Sequence, residues 1–434
     1  MLISTSVGRE LVGMRALLGQ MLSGRILLIA LAAAVSVSLA VPSVATSDPV
    51  QEIIEPTRDP ALLYPTPLPD AWFVPPPGFE NTAPGTVLHT RPTTVGPLLT
   101  PVFATQLLVR STDSKDRPIP VVTTVIVPQA PWTGPGARPL VAYNTAIDSL
   151  GLTCVPSWTL PRGSEIELAA IQLLLAKNYA VIVTDHQGPR QAYAAGRISG
   201  HAVLDSLRAT VNTPWLGLSP DSPIAVSGYS GGAIASGWTA ELAPTYAPEL
   251  RIVGVAIGGA PVDYRLLLGS MNGRNLASSV FLAATMGVAR EYPELFELMN
   301  TNGWRLGMIA RDWCLAALAP VGVVAPIPVE ALSDVPNVVA TPIAQRVLDA
   351  TRLGAQAPTA PVYIYQGQQE IWIPREGAER LYDEWCAKGA RVRIDEFVGE
   401  HLVVALSGIP AANSWIDDRL TGKPMAEGCS AFGR

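Results

Sequence analysis

The feature that most constrains the fold is a regular alternation of apolar runs with helical patterns. Eight runs have the composition of strands, at 103–110, 120–127, 139–146, 179–185, 223–228, 252–259, 361–367 and 392–398. Several are apolar at nearly every position, as is typical of strands covered on both faces. Helical patterns lie between them, at 165–178, 198–211, 233–243 and 376–389. This alternation predicts an α/β fold with a mostly parallel central sheet and helices on both faces.

One long interval departs from the alternation. The residues between Gly259 and Pro361 contain no strand pattern, and their sequence is helical and unusually apolar. A connection of this length is an inserted element rather than a loop. We therefore predict an inserted helical cap at about 262–358. Its apolar faces either pack on the main domain or line an apolar pocket, and the residues alone leave both interpretations open.

The N-terminus has the pattern of a secretory signal. Three arginines precede a sixteen-residue apolar run at 26–41, and small residues follow it. We predict that residues 1–45 are cleaved and that the protein is exported to the extracellular space or the cell envelope. The alternative is a membrane anchor, for which the run falls short of the ~20 residues that span a bilayer. Proline-rich residues 49–84 are predicted to wrap the surface as an extended arm.

The charge distribution argues against a nucleic-acid partner. Charged residues make up 15% of the 434 residues, the formal net charge is −6, and no basic block occurs. Phosphate binding requires clustered lysine and arginine. The histidines and cysteines have no metal-ligand spacing, so we predict neither a metal nor an organic cofactor. Export would favour disulfides among the four cysteines, with three possible pairings; four free thiols are the alternative.

The segment GYSGG, residues 228–232, matches the pattern G-x-S-x-G with Ser230 at its centre. It follows a strand pattern and precedes a helical one, which is the setting of a nucleophile elbow. Small neighbours let the backbone turn sharply and expose the hydroxyl, and the amide of Gly231 then faces the same space. A glycine turn that serves only close packing is the alternative. A phosphate-binding loop is disfavoured because no lysine follows the glycines.

In proteins with a nucleophile elbow, the nucleophile, the acid and the histidine follow one another in this order along the chain, so the order identifies the base. Of the four histidines, only His401 lies far enough along the chain, directly after the last predicted strand. His186 also follows a strand end and is the main alternative. His89 and His201 are interpreted as surface or packing residues.

The acid is expected after the strand at 361–367. Glu370 occupies that place, in a region where aspartate is the usual residue and none is present. A glutamate can orient an imidazole and stabilise its cation as an aspartate does. Asp395 is the competitor, but it lies within a predicted strand. The predicted set is therefore Ser230 as nucleophile, His401 as base and Glu370 as acid, with Gly231 as one oxyanion donor.

At this point the chain resembles the secretory lipases of yeasts and actinobacteria, the lipase A-like branch of the α/β-hydrolases. The resemblance covers nearly all of the chain after the signal segment. It rests on the strings PGTVLHTRP, NTAIDSLGLTCVPSW, TDHQGPRQAYAAG, GYSGGAIASGWTAELAPTYAPEL and EHLVVALSGIPAANSW. The family's acid is an aspartate in the pattern G-x-x-D-x-x-V-P, which here reads GQQEIWIP with Glu370 in the acid position.

The resemblance implies an acyl hydrolase with a helical cap over the substrate entrance. It places Asp148, in the loop AIDSLG, at the oxyanion hole beside Gly231. It also implies two disulfides, Cys154–Cys314 and Cys386–Cys429.

The sequence therefore predicts a secreted lipase or carboxylic-ester hydrolase that acts on a lipid or ester substrate, at a lipid–water interface if the substrate is insoluble. An acyltransferase that uses the same acyl-enzyme is one alternative, and a catalytically weak binding protein of the same fold is another. The oligomeric state stays open.

Overall fold

The computed structural model describes residues 57–433 and contains one ten-stranded sheet. Its strands are Val87–Thr93 (β1), Val102–Thr112 (β2), Pro118–Pro128 (β3), Leu140–Asn144 (β4), Ala180–Thr184 (β5), Ile224–Tyr229 (β6), Ile252–Gly258 (β7), Val362–Gly367 (β8), Val392–Phe397 (β9) and Ser430–Phe432 (β10). Their order across the sheet is β1-β2-β3-β5-β4-β6-β7-β8-β9-β10. The first four strands in this order pair antiparallel, and the remaining pairs are parallel. The predicted mostly parallel α/β sheet is confirmed.

Twelve helices accompany the sheet in the described part of the chain. They are Pro156–Arg162 (α1), Leu168–Leu175 (α2), Gly196–Val211 (α3), Gly231–Tyr246 (α4), Tyr264–Ser270 (α5), Ser278–Glu291 (α6), Thr301–Ala310 (α7), Leu315–Val324 (α8), Pro342–Ala350 (α9), Arg375–Ala387 (α10), His401–Ser407 (α11) and Ile409–Leu420 (α12). The four helices predicted at 165–178, 198–211, 233–243 and 376–389 correspond to α2, α3, α4 and α10.

Alternate residues of the central strands enter two different cores. Leu140 and Ala142 of β4 belong to the core that includes side chains of α3, α4 and α10. Val141 and Tyr143 belong to the core that includes side chains of α2 and α12. A strand covered on both faces has no polar face, which explains the continuous apolar runs. The carboxyl ends of the parallel strands are therefore the accessible edge, where ligands bind in open α/β sheets.

Two strands escaped prediction. β1 lies at the sheet edge and contains Pro92, a residue that edge strands tolerate because its missing N–H leaves no ladder bond unmade. β10 has only three residues and pairs with β9 just after Cys429. Short or proline-containing strands carry too little apolar pattern to be distinguished from loops.

The interval between β7 and β8 contains the five helices α5 to α9 and no strand. This is the segment for which the sequence predicts a cap. Its helices α6 and α8 pack against each other, and residues of both contribute to the same core as the sheet. The N-terminal arm is seen from residue 57 onward, where it forms three short 3-10 turns rather than a fully extended chain.

The arm is attached to the cap. Leu63 is fully buried against Phe296 and Trp304, and Thr66 donates from both its amide and its hydroxyl to Asp312 (2.7 and 2.6 Å). The predicted signal segment, residues 1–45, lies outside the described residues. Within the described range no helix combines the length and hydropathy needed to cross a bilayer.

Both disulfides implied by the family resemblance are present in the structure. Cys154 is bonded to Cys314 and Cys386 to Cys429, with Cα–Cα distances of 5.4 and 6.1 Å. The first joins the loop after β4 to the start of α8 in the cap. The second joins α10 to the segment that precedes β10. Two disulfides fit a secreted protein.

Candidate active site

Ser230 forms the turn between β6 and α4 and has an unusual backbone conformation. Its φ of 54° and ψ of −118° are costly for a residue with a Cβ atom. A Cβ on Gly228 would lie 2.3 Å from the carbonyl oxygen of Gly232, and one on Gly232 would lie 2.0 Å from that of Asn144. Glycine is therefore required at both positions for the sharp turn that presents the Ser230 hydroxyl.

The structure brings Ser230, His401 and Glu370 into one hydrogen-bonded row. His401 Nε2 lies 2.9 Å from Ser230 Oγ, and His401 Nδ1 lies 3.0 Å from Glu370 Oε1. A carboxylate only accepts, so Nδ1 carries the proton and Nε2 offers a lone pair to the serine hydroxyl. The side chains of His401 and Glu370 are 2% and 1% exposed, so bulk water does not compete for these bonds.

The imidazole is held from several directions. Trp372 stacks on the ring with a centroid distance of 5.5 Å and an interplanar angle of 23°. The hydroxyl of Tyr229 donates to the carbonyl oxygen of His401 (2.6 Å). His401 is the first residue of α11, and the carboxylate of Glu400 caps this helix by accepting the amides of Leu402 and Val403. The backbone and the ring of the histidine are thus both fixed.

The loop that carries Glu370 is bonded to the loop that precedes His401. Gln369 accepts the amide of Gly399 with its side chain (2.5 Å) and donates its own amide to the carbonyl of Gly399 (3.1 Å). Glu370 Oε2 is buried and has no hydrogen-bond partner among the described residues. Glu370 therefore contacts the imidazole through one oxygen.

Asp148 lies directly against the first residue of α4. Its φ is 44°, its side chain is buried, and its Oδ1 is 1.8 Å from the position that a Cβ of Gly231 would occupy. Burial raises the pKa of the carboxyl from 3.8 to about 6, against the smaller lowering effects of a hydrogen bond from Tyr193 and the charge of His401. Oδ1 has no partner among the described residues. A protonated Asp148 can donate into the space that the Gly231 amide faces.

The other sequence candidates lie elsewhere. His186 is buried beneath the loop after β4, where its Nε2 is 2.9 Å from the carbonyl oxygen of Thr145. His201 is buried and stacks on Tyr246 with a centroid distance of 4.2 Å, and His89 lies near the sheet edge.

Asp395, the competing acid, stays within β9. It pairs with Arg393 and accepts the hydroxyl of Tyr363 (2.9 Å). Within residues 57–433 no three or more His, Cys, Asp and Glu side chains are grouped so that they could hold a metal ion.

The sequence does not single out one partly buried acid near the site. Glu167 stands just before α2, and its two oxygens accept the hydroxyl of Tyr143 (2.7 Å) and the amide of Ala146 (2.6 Å). Burial raises its pKa to about 7. Its sequence context is an ordinary polar position at the start of a helix, so only the contact with the loop after β4 distinguishes it.

The cap encloses an apolar cavity of about 210 Å³. None of the described residues that line it carries a charge; representatives from helices α6 to α9 are Leu282, Met286, Leu306, Ala310, Val321 and Val347. The wall also includes Leu150, which belongs to the same loop as Asp148. The cavity thus reaches from the segment between β7 and β8 to the loop that contains Asp148.

Several exposed apolar side chains lie on, or next to, the elements that carry Glu370 and His401. We call Leu276, Val323, Ile371, Val398, Leu402 and Leu406 the apolar rim; their exposed fractions range from 45% to 77%. The side chain of Asn275 donates to the carbonyl of Ile371 (3.1 Å), which links the cap to the loop of Glu370. The rim therefore includes residues of the segment between β7 and β8 and of the elements that carry Glu370 and His401.

Comparison with known proteins gives consistent matches. A family model described as secretory lipase matches residues 160–428. A probable inactive lipase of Mycobacterium tuberculosis is 34% identical over 375 residues, covering 82% of this chain and 83% of the relative. A secreted triacylglycerol lipase of Malassezia restricta is 32% identical over 388 residues, covering 84% and 81%. The closed-state crystal structure of Candida antarctica lipase A superimposes with a TM-score of 0.77 at 26% identity, covering 83% and 88%.

Proposed function

Because the chain belongs to the secretory lipase family, which has the α/β-hydrolase fold, we propose that it hydrolyses carboxylic esters of lipids through an acyl-enzyme on Ser230. The observation that carries this proposal is the hydrogen-bonded row from Ser230 Oγ through the His401 ring to Glu370, with distances of 2.9 and 3.0 Å. We include in the proposal the predicted export of the chain after removal of residues 1–45.

Acylation follows from the geometry of the row. His401 Nε2 takes the hydroxyl proton as Ser230 Oγ attacks the ester carbonyl, and Glu370 stabilises the imidazolium that forms. The carbonyl oxygen becomes an oxyanion in front of Gly231 N–H and protonated Asp148. Collapse of the tetrahedral intermediate breaks the ester bond, and His401 gives its proton to the departing alcohol.

Deacylation repeats the sequence with water in place of the serine. His401 removes a proton from the water, the hydroxide attacks the acyl carbonyl, and the same two donors hold the new oxyanion. Ser230 recovers its proton from His401 and the fatty acid leaves.

The composition of the predicted cap favours a lipid as the substrate. Its cavity is apolar, so an acyl chain would be stabilised by burial at roughly 25 cal/mol per Å² of apolar surface. The apolar rim exposes side chains around the triad, an arrangement that favours substrate presented at a lipid–water interface. We therefore propose that residues 262–358 act as the substrate-binding cap of the catalytic domain.

The test is a series of p-nitrophenyl esters from acetate to palmitate, with Ser230→Ala as the inactive control. We expect turnover of the long-chain esters by the parent enzyme. Filling the cavity with Ala310→Phe should reduce kcat/KM for palmitate more than for acetate, because only the long chain reaches that wall. Activity confined to acetate and butyrate would contradict the lipase assignment.

A catalytically weak binding protein is the second candidate. Two observations favour it: the unpaired Oε2 of Glu370, and the M. tuberculosis relative that is named a probable inactive lipase. A fluorophosphonate probe separates the candidates, because it labels only an activated serine. Labelling of Ser230 in the parent protein, absent after His401→Ala, supports the hydrolase; no labelling supports the binding protein.

A further inference from the structure

A single peptide group in the loop after β4 is held at both of its polar atoms. The carbonyl oxygen of Thr145 lies 2.9 Å from His186 Nε2, and the amide of Ala146 donates to Glu167 Oε1 (2.6 Å). The two atoms belong to the same peptide bond. We call the peptide between Thr145 and Ala146 the clamped peptide.

The clamped peptide lies between the sheet and Asp148. The amide of Ile147 donates back to the carbonyl of Thr145 (3.0 Å), which makes a tight turn, and Asp148 follows with its left-handed φ of 44°. Rotation of the clamped peptide would move this turn and with it the Asp148 carboxyl. On the other side, the backbone of Asn144 and Thr145 touches Gly232, so the loop rests on the nucleophile helix.

We propose that Glu167 and His186 are positioning residues that fix the clamped peptide and so hold Asp148 at the oxyanion site. The inference rests on the proposed ester hydrolysis, because its consequence is expressed in oxyanion stabilisation. Neither residue contacts Ser230 in the hydrogen-bonded row, so their action is through the loop.

The chemistry of both residues suits a clamp that works at all physiological pH values. His186 Nδ1 is buried with no partner among the described residues, which places the proton on Nε2, the atom that faces the carbonyl. Burial lowers the pKa of His186 to about 4, so the ring stays neutral. Glu167 offers an acceptor oxygen to Ala146 whether or not it is ionised, and its other oxygen is held by Tyr143.

The clamp is tested first without reference to activity, by hydrogen–deuterium exchange of the segment 144–150. Glu167→Met keeps an unbranched side chain but removes the acceptor, and Glu167→Gln keeps an oxygen acceptor. Gln172→Ala is the matched control, because Gln172 lies on the same helix α2 and ties it to Leu99 and Thr100 instead. We expect faster exchange of 144–150 in Glu167→Met, and parent-like exchange in the other two. Unchanged exchange in Glu167→Met overturns the clamp.

The second measurement is kcat per active site, counted by fluorophosphonate labelling. We expect a loss of about 10- to 100-fold in kcat for Glu167→Met with KM within about threefold, since displacement of an oxyanion group costs on this scale. Glu167→Gln should restore kcat to within about threefold. If Glu167→Met is poorly folded, the same two measurements are made on Tyr143→Phe, which removes the hydrogen bond to one oxygen of Glu167. This variant should show faster exchange of residues 144–150 and a smaller loss of kcat than Glu167→Met.

The outcomes are distinct. Suppose that residues 144–150 exchange faster in Glu167→Met but kcat per labelled site is unchanged. The clamped peptide then has only a structural role, and the positioning role is overturned. An inactive parent enzyme that does not label defeats the proposed hydrolysis, and the positioning role falls with it, whereas the exchange data still decide the clamp.

Discussion

Replacing Asp148 by asparagine tests the most unusual feature of the proposed mechanism, a carboxyl group at the proposed oxyanion site. An ionised carboxylate would repel the oxyanion, so only the protonated acid can donate. Asp148→Asn supplies a permanent N–H donor of the same shape, while its amide oxygen can still accept from Tyr193. If the proposal is right, the activity of the variant should not depend on the protonation of residue 148, whereas that of the parent protein should.

The magnitude follows from the pKa of about 6 that burial gives to Asp148. Two pH units above this value, about 1% of the molecules keep the proton, which corresponds to about 2.7 kcal/mol of lost transition-state stabilisation. The ratio of kcat/KM for Asp148→Asn to that of the parent should be constant well below pH 6. Above pH 6 it should rise about tenfold per pH unit, to about 100-fold at pH 8.

The assay is kcat/KM for a short p-nitrophenyl ester from pH 4 to pH 9, corrected for spontaneous hydrolysis. The ratio of variant to parent cancels the titration of groups that the substitution leaves unchanged. A ratio that stays flat across pH 6 would refute the requirement for protonated Asp148. A variant that is inactive at every pH would refute the view that the acid acts as a simple donor.

The same substitution has a consequence for stability. The folded protein binds the Asp148 proton more tightly than the unfolded chain, so the stabilisation from this group is complete below about pH 3.8 and is lost as the pH rises through about 6. Above that pH the buried carboxylate costs about 3 kcal/mol. Urea unfolding at pH 8 should show Asp148→Asn to be more stable than the parent, and the difference should vanish near pH 4.

Three further predictions concern neighbouring parts of the site. Glu370→Gln should lower kcat about 10³- to 10⁴-fold with little change in KM, because an amide no longer stabilises the imidazolium; a loss below tenfold would argue against the acid role. Gly231→Ala would place a methyl carbon 1.8 Å from Asp148 Oδ1, so we expect loss of activity at both short and long acyl chains in a steady-state assay. Replacing Cys154 and Cys314 together by alanine should lower the free energy of unfolding by about 2–5 kcal/mol, measured by urea denaturation, because the bond joins the loop after β4 to the cap.

Matched variants control for general disturbance. Gly269→Ala adds a Cβ with no atom within 4 Å and should leave activity unchanged, in contrast to Gly231→Ala. Replacing Cys386 and Cys429 should reduce stability without altering kcat, because that disulfide lies at the far edge of the sheet beside β10. A loss of kcat after removal of the Cys386–Cys429 bond would contradict the view that this disulfide lies apart from the proposed catalytic residues.

The sequence predicts the turn at Ser230 because the residues that form it lie close together in the chain. Glycines on both sides of Ser230 and the change from strand to helix pattern lie within a few residues, and the structure shows the turn with its left-handed φ. The positions of Glu370 and His401 followed from strand order, since parallel strands deliver the loops at their carboxyl ends to one edge. Their roles remain part of the proposed function.

The strands that escaped prediction, β1 and β10, show where local pattern fails. Pro92 in β1 and the three-residue length of β10 leave too little apolar pattern for prediction. Both segments are strands because they pair with a neighbouring strand. Glu167 and His186 show the same limit at the site. Glu167 has no distinguishing sequence context, and the sequence offers His186 only as an alternative base. Their contacts with the loop after β4 join residues 21 and 41 positions apart in the chain.

The sequence by itself therefore determined the α/β architecture, the elbow at Ser230 and the order of the three proposed catalytic side chains, because periodicity and turn chemistry act over short distances. Tertiary structure alone decided the raised pKa of Asp148, the cavity between β7 and β8 and the clamped peptide. Burial and hydrogen bonds between distant segments set these properties, and both come into existence only when the sheet brings its loops together.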